Sequence, residues 1–296
     1  MLNAPSLAGE YELRYQTGQS QTTLARADLS VTPAAEEPGL LRVTLGKSTP
    51  LQGTPGGGAV EIVLDASGSM LQRIGSERRI DIAKQTLKNL TSQIIPAGTP
   101  FALRVFGREA NSCRTDLDIP LRPLDPAAVA TQVDSLDAQS NARTPIAASL
   151  EKVASDLSGA KGERIVILVT DGEETCGGNP ASAIQALMKR GIGTRINIVG
   201  FAVDDRKTAA SFRQWSSAGA GSYFDAKDAA GLNQAFSLAL RPRFEVLDAK
   251  NQIVADELVG SEPVSVLPGK YTVRLKASKQ SQSVTVQPKQ TATVQL

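Results

Sequence analysis

Three oxygen-bearing side chains follow one apolar run of the sequence at alternate positions. They are Asp65, Ser67 and Ser69, and the run before them, 60–64, reads Val-Glu-Ile-Val-Leu. Gly68 stands between the serines and lets the backbone turn without a Cβ clash, so both hydroxyls can be aimed at one point. Such oxygen atoms are the ligands that Mg²⁺ prefers in proteins. We therefore expect a loop that holds a divalent ion where a buried strand ends.

Two further polar signals stand at comparable places in the chain. Asp171 follows the apolar run 164–169, and Thr144 precedes Pro145, where a helix is predicted to begin. In a parallel sheet, ligand chemistry collects at the carboxyl ends of the strands. Taken singly, the serines and Thr144 could be helix caps, and Asp171 with its following glycine could be a simple turn. The coincidence of three loops favours one shared site.

Composition restricts the chemistry that such a site can perform. The chain has 296 residues and no histidine, which excludes Ser-His-Asp and Cys-His nucleophiles and every histidine-bearing zinc site. Two cysteines are too few for a four-thiolate site. Any metal must therefore be held mainly by oxygen, which favours Mg²⁺, Mn²⁺ or Ca²⁺.

The sequence also argues against several other classes of protein. The net charge is +2, and no basic cluster is interleaved with aromatic residues, so nucleic acid is not an expected partner. No apolar run reaches membrane-spanning length. There is no phosphate-binding Gly-x-x-x-x-Gly-Lys-Ser/Thr loop, and Asp65 stands where a hydrolase Gly-x-Ser-x-Gly turn needs its first glycine. These patterns predict a binding protein and not an enzyme.

Strand and helix patterns alternate from 59 to 241. Apolar residues repeat at helical spacing between the strand-like runs, as in the stripe from Ile80 to Ile94. This rhythm predicts an α/β domain with a doubly wound, mostly parallel sheet and helices on both faces. Asn179 and Thr144, each before a proline, are expected to cap helices. The predicted strands are 60–64, 101–106, 164–169, 196–201 and 222–224, and the predicted helices include 146–157 and 228–240.

The flanking segments have a different pattern. Residues 1–47 are predicted to be β-rich, 48–58 to be a linker, and 242–296 to form a small antiparallel β-domain. The segment 7–14 also resembles 267–274 at matched positions. Residues 1–47 are either the tail of a truncated sandwich domain or one half of a split sandwich completed by 242–296.

The three-loop pattern resembles the metal-ion-dependent adhesion site of von Willebrand factor type A domains over about 59–241. The family's Asp-x-Ser-x-Ser, Thr and Asp elements are all present and in order. The resemblance implies a Mg²⁺ site, or a Mn²⁺ or Ca²⁺ site, in which the hydroxyls bind directly and the carboxylates act partly through water. It also implies that a protein partner supplies a carboxylate to the ion. The site residues are then Asp65, Ser67, Ser69, Thr144 and Asp171.

The family's strand order also brings the loops that carry Cys113 and Cys176 to the metal-bearing face. It thereby implies a disulfide between them, although two free thiols are expected if the protein is cytosolic. With the flanking β segments, this favours an extracytoplasmic bacterial protein, here a fragment without its signal. The expected function is metal-dependent protein binding in adhesion or assembly. The alternatives are an intracellular scaffold that docks an ATPase or chelatase partner and an enzyme of an unrecognised class.

Overall fold

Strands and helices alternate through the middle of the chain, after three N-terminal strands. The computed structural model describes residues 8–17, 20–30, 37–46, 58–191, 193–276 and 280–296, the first two ranges through their backbone alone. The elements up to residue 239 are β1 (Ala8–Thr17), β2 (Ser20–Ser30), β3 (Gly39–Thr44), β4 (Ala59–Asp65), β5 (Arg73–Ile74), β6 (Glu77–Arg78), α1 (Arg79–Asn89), β7 (Pro100–Phe106), β8 (Thr115–Pro123), α2 (Pro126–Asp134), α3 (Ile146–Asp156), β9 (Arg164–Thr170), α4 (Pro180–Lys189), β10 (Thr194–Phe201), α5 (Arg206–Ala218), β11 (Tyr223–Ala226) and α6 (Ala229–Ala239).

One six-stranded sheet carries the α/β unit. Its strand order is β11-β10-β9-β4-β7-β8, and every neighbouring pair runs parallel except β7 with β8. Helices α1, α2 and α6 pack on one face, and α3, α4 and α5 pack on the other. Because both faces are covered, all seven residues of β4 are buried. The predicted fold class, a doubly wound α/β sheet, is confirmed.

The five predicted strands of this sheet are present, and β8 is a sixth strand that was not predicted. This strand pairs antiparallel with β7 at the edge of the sheet. Its residues from Asp116 to Ile119 alternate polar and apolar side chains, which is the pattern of a half-buried edge strand. That alternation could have identified β8 as a strand from the sequence.

The predicted helical stripes are buried except for Ile94, which is half-buried, and one of the two predicted caps is correct. Asn179 accepts a hydrogen bond from Ser182 N at 3.0 Å at the start of α4. Thr144 does not cap α3, because Pro145 itself occupies the cap position and no side chain of that position caps the helix. The prediction that Thr144 is an N-cap was therefore wrong.

Two small sheets form the β-rich C-terminal unit. One has the order β13-β12-β15-β16 and the other the order β14-β3-β17, and apolar residues of both form one core. Strand β3 pairs antiparallel with β14 and parallel with β17, so part of the N-terminal segment joins the C-terminal strands. Within this unit the sequence predicts strands at 244–247, 264–267, 271–275, 283–286 and 292–296, and this prediction leaves out β13. The strands are β12 (Arg243–Leu247), β13 (Ile253–Leu258), β14 (Val264–Val266), β15 (Gly269–Leu275), β16 (Ser281–Val286) and β17 (Thr291–Gln295).

Strands β1 and β2 form a two-stranded sheet of their own. Strands β1 and β2 pair antiparallel with each other from Ala8–Ser30 to Thr17–Ser20. The predicted linker, 48–58, lies outside the described residues except for Gly58. Among the helices that the structure describes, none combines the length and the apolar character needed to cross a membrane. The boundaries of the four predicted segments stay a prediction.

Candidate metal site

The side chain of Asp65 folds the loop after β4 into a tight turn. Asp65 Oδ1 accepts a hydrogen bond from Ser67 N at 2.7 Å, and a short 3₁₀ turn, Gly68–Leu71, follows. Gly107, after β7, has a φ of +79°, and a Cβ there would lie 2.4 Å from Ser67 N. Only glycine therefore lets the neighbouring loop approach this turn so closely. The serines are thus fixed at the carboxyl end of the central strand.

Hydrogen bonds join four of the five predicted ligands into one network. The hydroxyl oxygens of Ser67 and Ser69 lie 3.1 Å apart, and Ser69 Oγ donates to Asp171 Oδ1 at 2.6 Å. On the other side, Thr170 Oγ1 donates to Asp65 Oδ2 at 2.6 Å. The sheet therefore brings Asp171, which is 102 residues from Ser69, to the loop after β4.

The loop that carries the fifth predicted ligand, Thr144, is hydrogen-bonded to the loop after β9. Thr144 N donates to Thr175 Oγ1 at 2.7 Å, and Thr175 N donates back to Thr144 O at 3.1 Å. The Glu174 carboxylate accepts from Ala147 N at 2.8 Å and from Cys176 N at 2.6 Å, so it supplies the cap that α3 otherwise lacks. The Thr144 side chain is buried, and in the described residues its hydroxyl makes no hydrogen bond to the other four.

A disulfide joins the loop after β7 to the loop after β9. Cys113 and Cys176 are bonded, with their Cα atoms 5.8 Å apart, and the pairing implied by the family resemblance is confirmed. Cys113 follows β7, and Cys176 follows β9. The loops after these two strands, which flank β4, are therefore covalently joined above the site.

The electrostatics of the site are dominated by two buried carboxylates. Asp65 is fully buried, and the Asp171 side chain has no exposed surface. Burial, and after it the negative charge of Asp171, raise the pKa of Asp65 to about 7. A cation between the two carboxylates would relieve both effects.

Arg79 is a functional candidate that was not predicted from the sequence. It opens α1, and its Nη1 donates to Asp171 Oδ2 at 2.8 Å. One carboxylate oxygen of Asp171 therefore accepts a hydrogen bond from Ser69, and the other oxygen accepts one from Arg79. Nothing in the local sequence marks Arg79, because its partner lies 92 residues away. Thr170 was also missed, although it directly precedes Asp171.

The donor set fits a hard divalent cation. It offers carboxylate and hydroxyl oxygens only, the chemistry that Mg²⁺ and Mn²⁺ prefer. In the described part of the chain, no three acidic, cysteine or histidine side chains cluster in a way that could hold a metal ion. An ion here would thus be held by two carboxylates and by hydroxyls. The structural observation that fits an ion is the presence of two buried carboxylates, Asp65 and Asp171, beside the serine hydroxyls.

The class of protein follows from this sheet and this loop arrangement. The family model of the von Willebrand factor type A domain matches residues 60–238, more than half of the chain, and the chain belongs to this family. The uncharacterized protein YwmD of Bacillus subtilis (strain 168) is 36% identical over 188 residues, which are 60% of this chain and 82% of YwmD.

Two solved structures share the fold at low sequence identity. The conserved hypothetical protein BatB from Bacteroides thetaiotaomicron has a TM-score of 0.51 at 20% identity, covering 62% of this chain and 96% of BatB. Proximal thread matrix protein 1 from the mussel byssus, solved with zinc in its metal-ion-dependent adhesion site, has a TM-score of 0.51 at 20% identity. It covers 62% of this chain and 46% of the mussel chain. At these identities the likeness concerns the fold alone.

Proposed function

We propose that this chain is a non-enzymatic, metal-dependent protein-binding module for adhesion or assembly. A Mg²⁺ ion, or Mn²⁺ or Ca²⁺, binds at the carboxyl end of β4, and a carboxylate of a protein partner completes its coordination. The observation that carries the proposal is a set of hydrogen bonds around two buried carboxylates: Ser69 joins the loop after β4 to Asp171, and Thr175 joins the loop after β9 to Thr144. The proposed ligands are Asp65, Ser67, Ser69, Thr144 and Asp171.

The hydroxyls explain why such an ion would attract a partner. They carry no charge, so they coordinate an ion without neutralising it. Only Asp65 and Asp171 bring negative charge, and Asp171 is already paired with Arg79. When bound, the ion supplies a Lewis-acidic centre with affinity for one more anionic oxygen. This charge balance suits capture of an Asp or Glu side chain.

The support of the loops is part of the proposal. Glu174 and Thr175 connect the loop after β9 to the loop before α3, and the disulfide connects it to the loop after β7. These bonds hold the proposed ligands in place before any ion binds, which lowers the cost of ordering them. The zinc in the mussel protein's adhesion site gives a divalent-metal precedent within the same fold.

The disulfide favours an extracytoplasmic location over the intracellular scaffold. Disulfides form and persist in oxidising compartments and are rare in the cytosol. A cell-surface, periplasmic or secreted protein is therefore the setting that we propose. Adhesion or assembly outside the cytoplasm is the function that agrees with both the bridge and the metal site.

The test is metal titration followed by partner capture. Calorimetry should show one Mn²⁺ or Mg²⁺ site in the wild type and none in Asp65→Ala. Asp125→Ala is the matched control, because Asp125 is an acid that only caps α2, and it should bind metal like the wild type. A pull-down from an extracytoplasmic fraction should lose its captured protein when chelator is added. Unchanged metal binding in folded Asp65→Ala would overturn the assignment.

A further inference from the structure

We propose that Arg79 is a fixed cation of the metal site that strengthens carboxylate capture at the expense of metal affinity. This inference rests on the proposed function and names the residue that tunes it. Its starting point is the ion pair between Arg79 Nη1 and Asp171 Oδ2, at 2.8 Å. Arg79 thus contacts a proposed ligand without being one itself.

The structure holds Arg79 firmly beside that ligand. Its backbone N donates to Gln72 O at 2.8 Å, which anchors the start of α1 to the loop that carries the serines. The Arg79 side chain is 13% exposed, and the Asp171 side chain is 0% exposed. A guanidinium so placed has little freedom to leave, and the low exposure limits screening of its charge by solvent.

Pairing with Asp171 alone does not account for this placement. The Nε atom of Arg79 is buried and has no hydrogen-bond partner in the described structure, and an unsatisfied buried donor is destabilising. Asp171 already accepts a hydrogen bond from Ser69 on its other oxygen. A neutral donor would satisfy the second oxygen without burying a charge. We infer that the positive charge itself is what the site uses.

The consequence appears in the charge of the occupied site. Two carboxylates from Asp65 and Asp171 would by themselves neutralise a divalent ion. With the guanidinium of Arg79 included, the occupied site keeps one net positive charge. That charge repels the ion and therefore weakens metal binding, but it attracts an anionic ligand at the open coordination position. The ligand class selected in this way is a carboxylate, in preference to a neutral amide or carbonyl oxygen.

Three variants separate charge from geometry. Arg79→Gln removes the charge but keeps a side-chain N–H donor, and Arg79→Lys keeps the charge but loses the fork shape. Arg78→Gln is the matched control, because it removes the same charge one residue away. Arg78 pairs with Asp81 and Asp137 instead of Asp171. Circular dichroism and thermal unfolding check that each variant folds.

Two measurements are made on each protein. Calorimetry gives the dissociation constant for Mn²⁺ alone, and water-proton relaxation of the bound Mn²⁺ follows displacement of its water by acetate, the carboxylate probe. For Arg79→Gln we expect Mn²⁺ binding to tighten about tenfold and acetate binding to weaken about tenfold, as for a unit charge beside an ionic site. Arg79→Lys and Arg78→Gln should both stay close to the wild type.

The sign of the change in metal affinity shows whether Arg79 acts through its charge or by positioning Asp171. If Arg79 merely positioned Asp171, its loss would weaken metal binding, as loss of such supporting contacts does. Weaker or unchanged Mn²⁺ binding in folded Arg79→Gln overturns the inference, and so does an Arg79→Lys protein that behaves like Arg79→Gln. A wild type that binds no Mn²⁺ overturns the proposed function itself, which is a separate outcome.

Discussion

Removal of the disulfide should destabilise the α/β unit by an amount that chain entropy sets. Cys113 and Cys176 are 63 residues apart in sequence, and closing a loop of that length in the unfolded chain is worth about 4 kcal/mol. For a domain of this size, that corresponds to a fall in melting temperature of about 10 °C. The perturbation is the double variant Cys113→Ser, Cys176→Ser, which leaves no unpaired thiol.

Differential scanning calorimetry of the variant and the wild type measures the shift. The wild type with reductant is the control, and it should melt close to the double variant, because both lack the bridge. The entropy argument assumes that the bridge acts mainly on the unfolded chain. A shift below about 3 °C would refute it, and would mean that the contacts of Glu174 and Thr175 hold the two loops together without help.

Three further predictions concern two buried carboxyl groups, Glu61 and Asp65, and the junction between α6 and β12. Burial and then the charge of Asp156 raise the pKa of Glu61 well above 4.5, so the stability that Glu61 contributes is lost as pH rises through that pKa. Urea unfolding at about pH 5 and about pH 8 should therefore show a smaller fall in the free energy of unfolding for Glu61→Gln than for the wild type. An equal fall in both proteins would contradict this. The pKa of Asp65 is raised to about 7, so calorimetry should find weaker Mg²⁺ binding below that pH, where protons compete with the ion, and an affinity independent of pH would contradict this. Asn197 Nδ2 donates to Ala239 O at 2.8 Å and fixes the end of α6. Hydrogen exchange in β12, which follows α6, should therefore not change when Mg²⁺ is added. Altered protection of β12 would instead reveal coupling between the α/β unit and the C-terminal β-rich unit.

Part of the site was predictable because the strands that carry it are buried on both faces. Such strands are nearly continuous apolar runs, and the polar residues that end them stand out. Asp65 and Asp171 could therefore be assigned to one edge of the sheet from the sequence. Their hydrogen bonds to the neighbouring hydroxyls then follow from parallel pairing of β4 with β9.

The missed features depend on contacts that are distant in sequence or on half-exposed strands. Strands β8 and β13 lie at sheet edges, where one face is partly solvated and the apolar signal is weaker. The cap of α3 comes from Glu174, which is 27 residues beyond the amide that it accepts from. Arg79, at the start of α1, contacts Asp171 although the two are 92 residues apart in sequence. Local patterns cannot reveal such partners.

The most direct test of the metal assignment is anomalous X-ray diffraction from crystals grown with Mn²⁺. Data collected near the manganese edge identify the ion independently of any binding assay. We predict one strong anomalous peak next to the hydroxyl oxygens of Ser67 and Ser69, within reach of Thr144 and of the two carboxylates. No peak at this position, in crystals that hold Mn²⁺ elsewhere on the chain, would contradict the account.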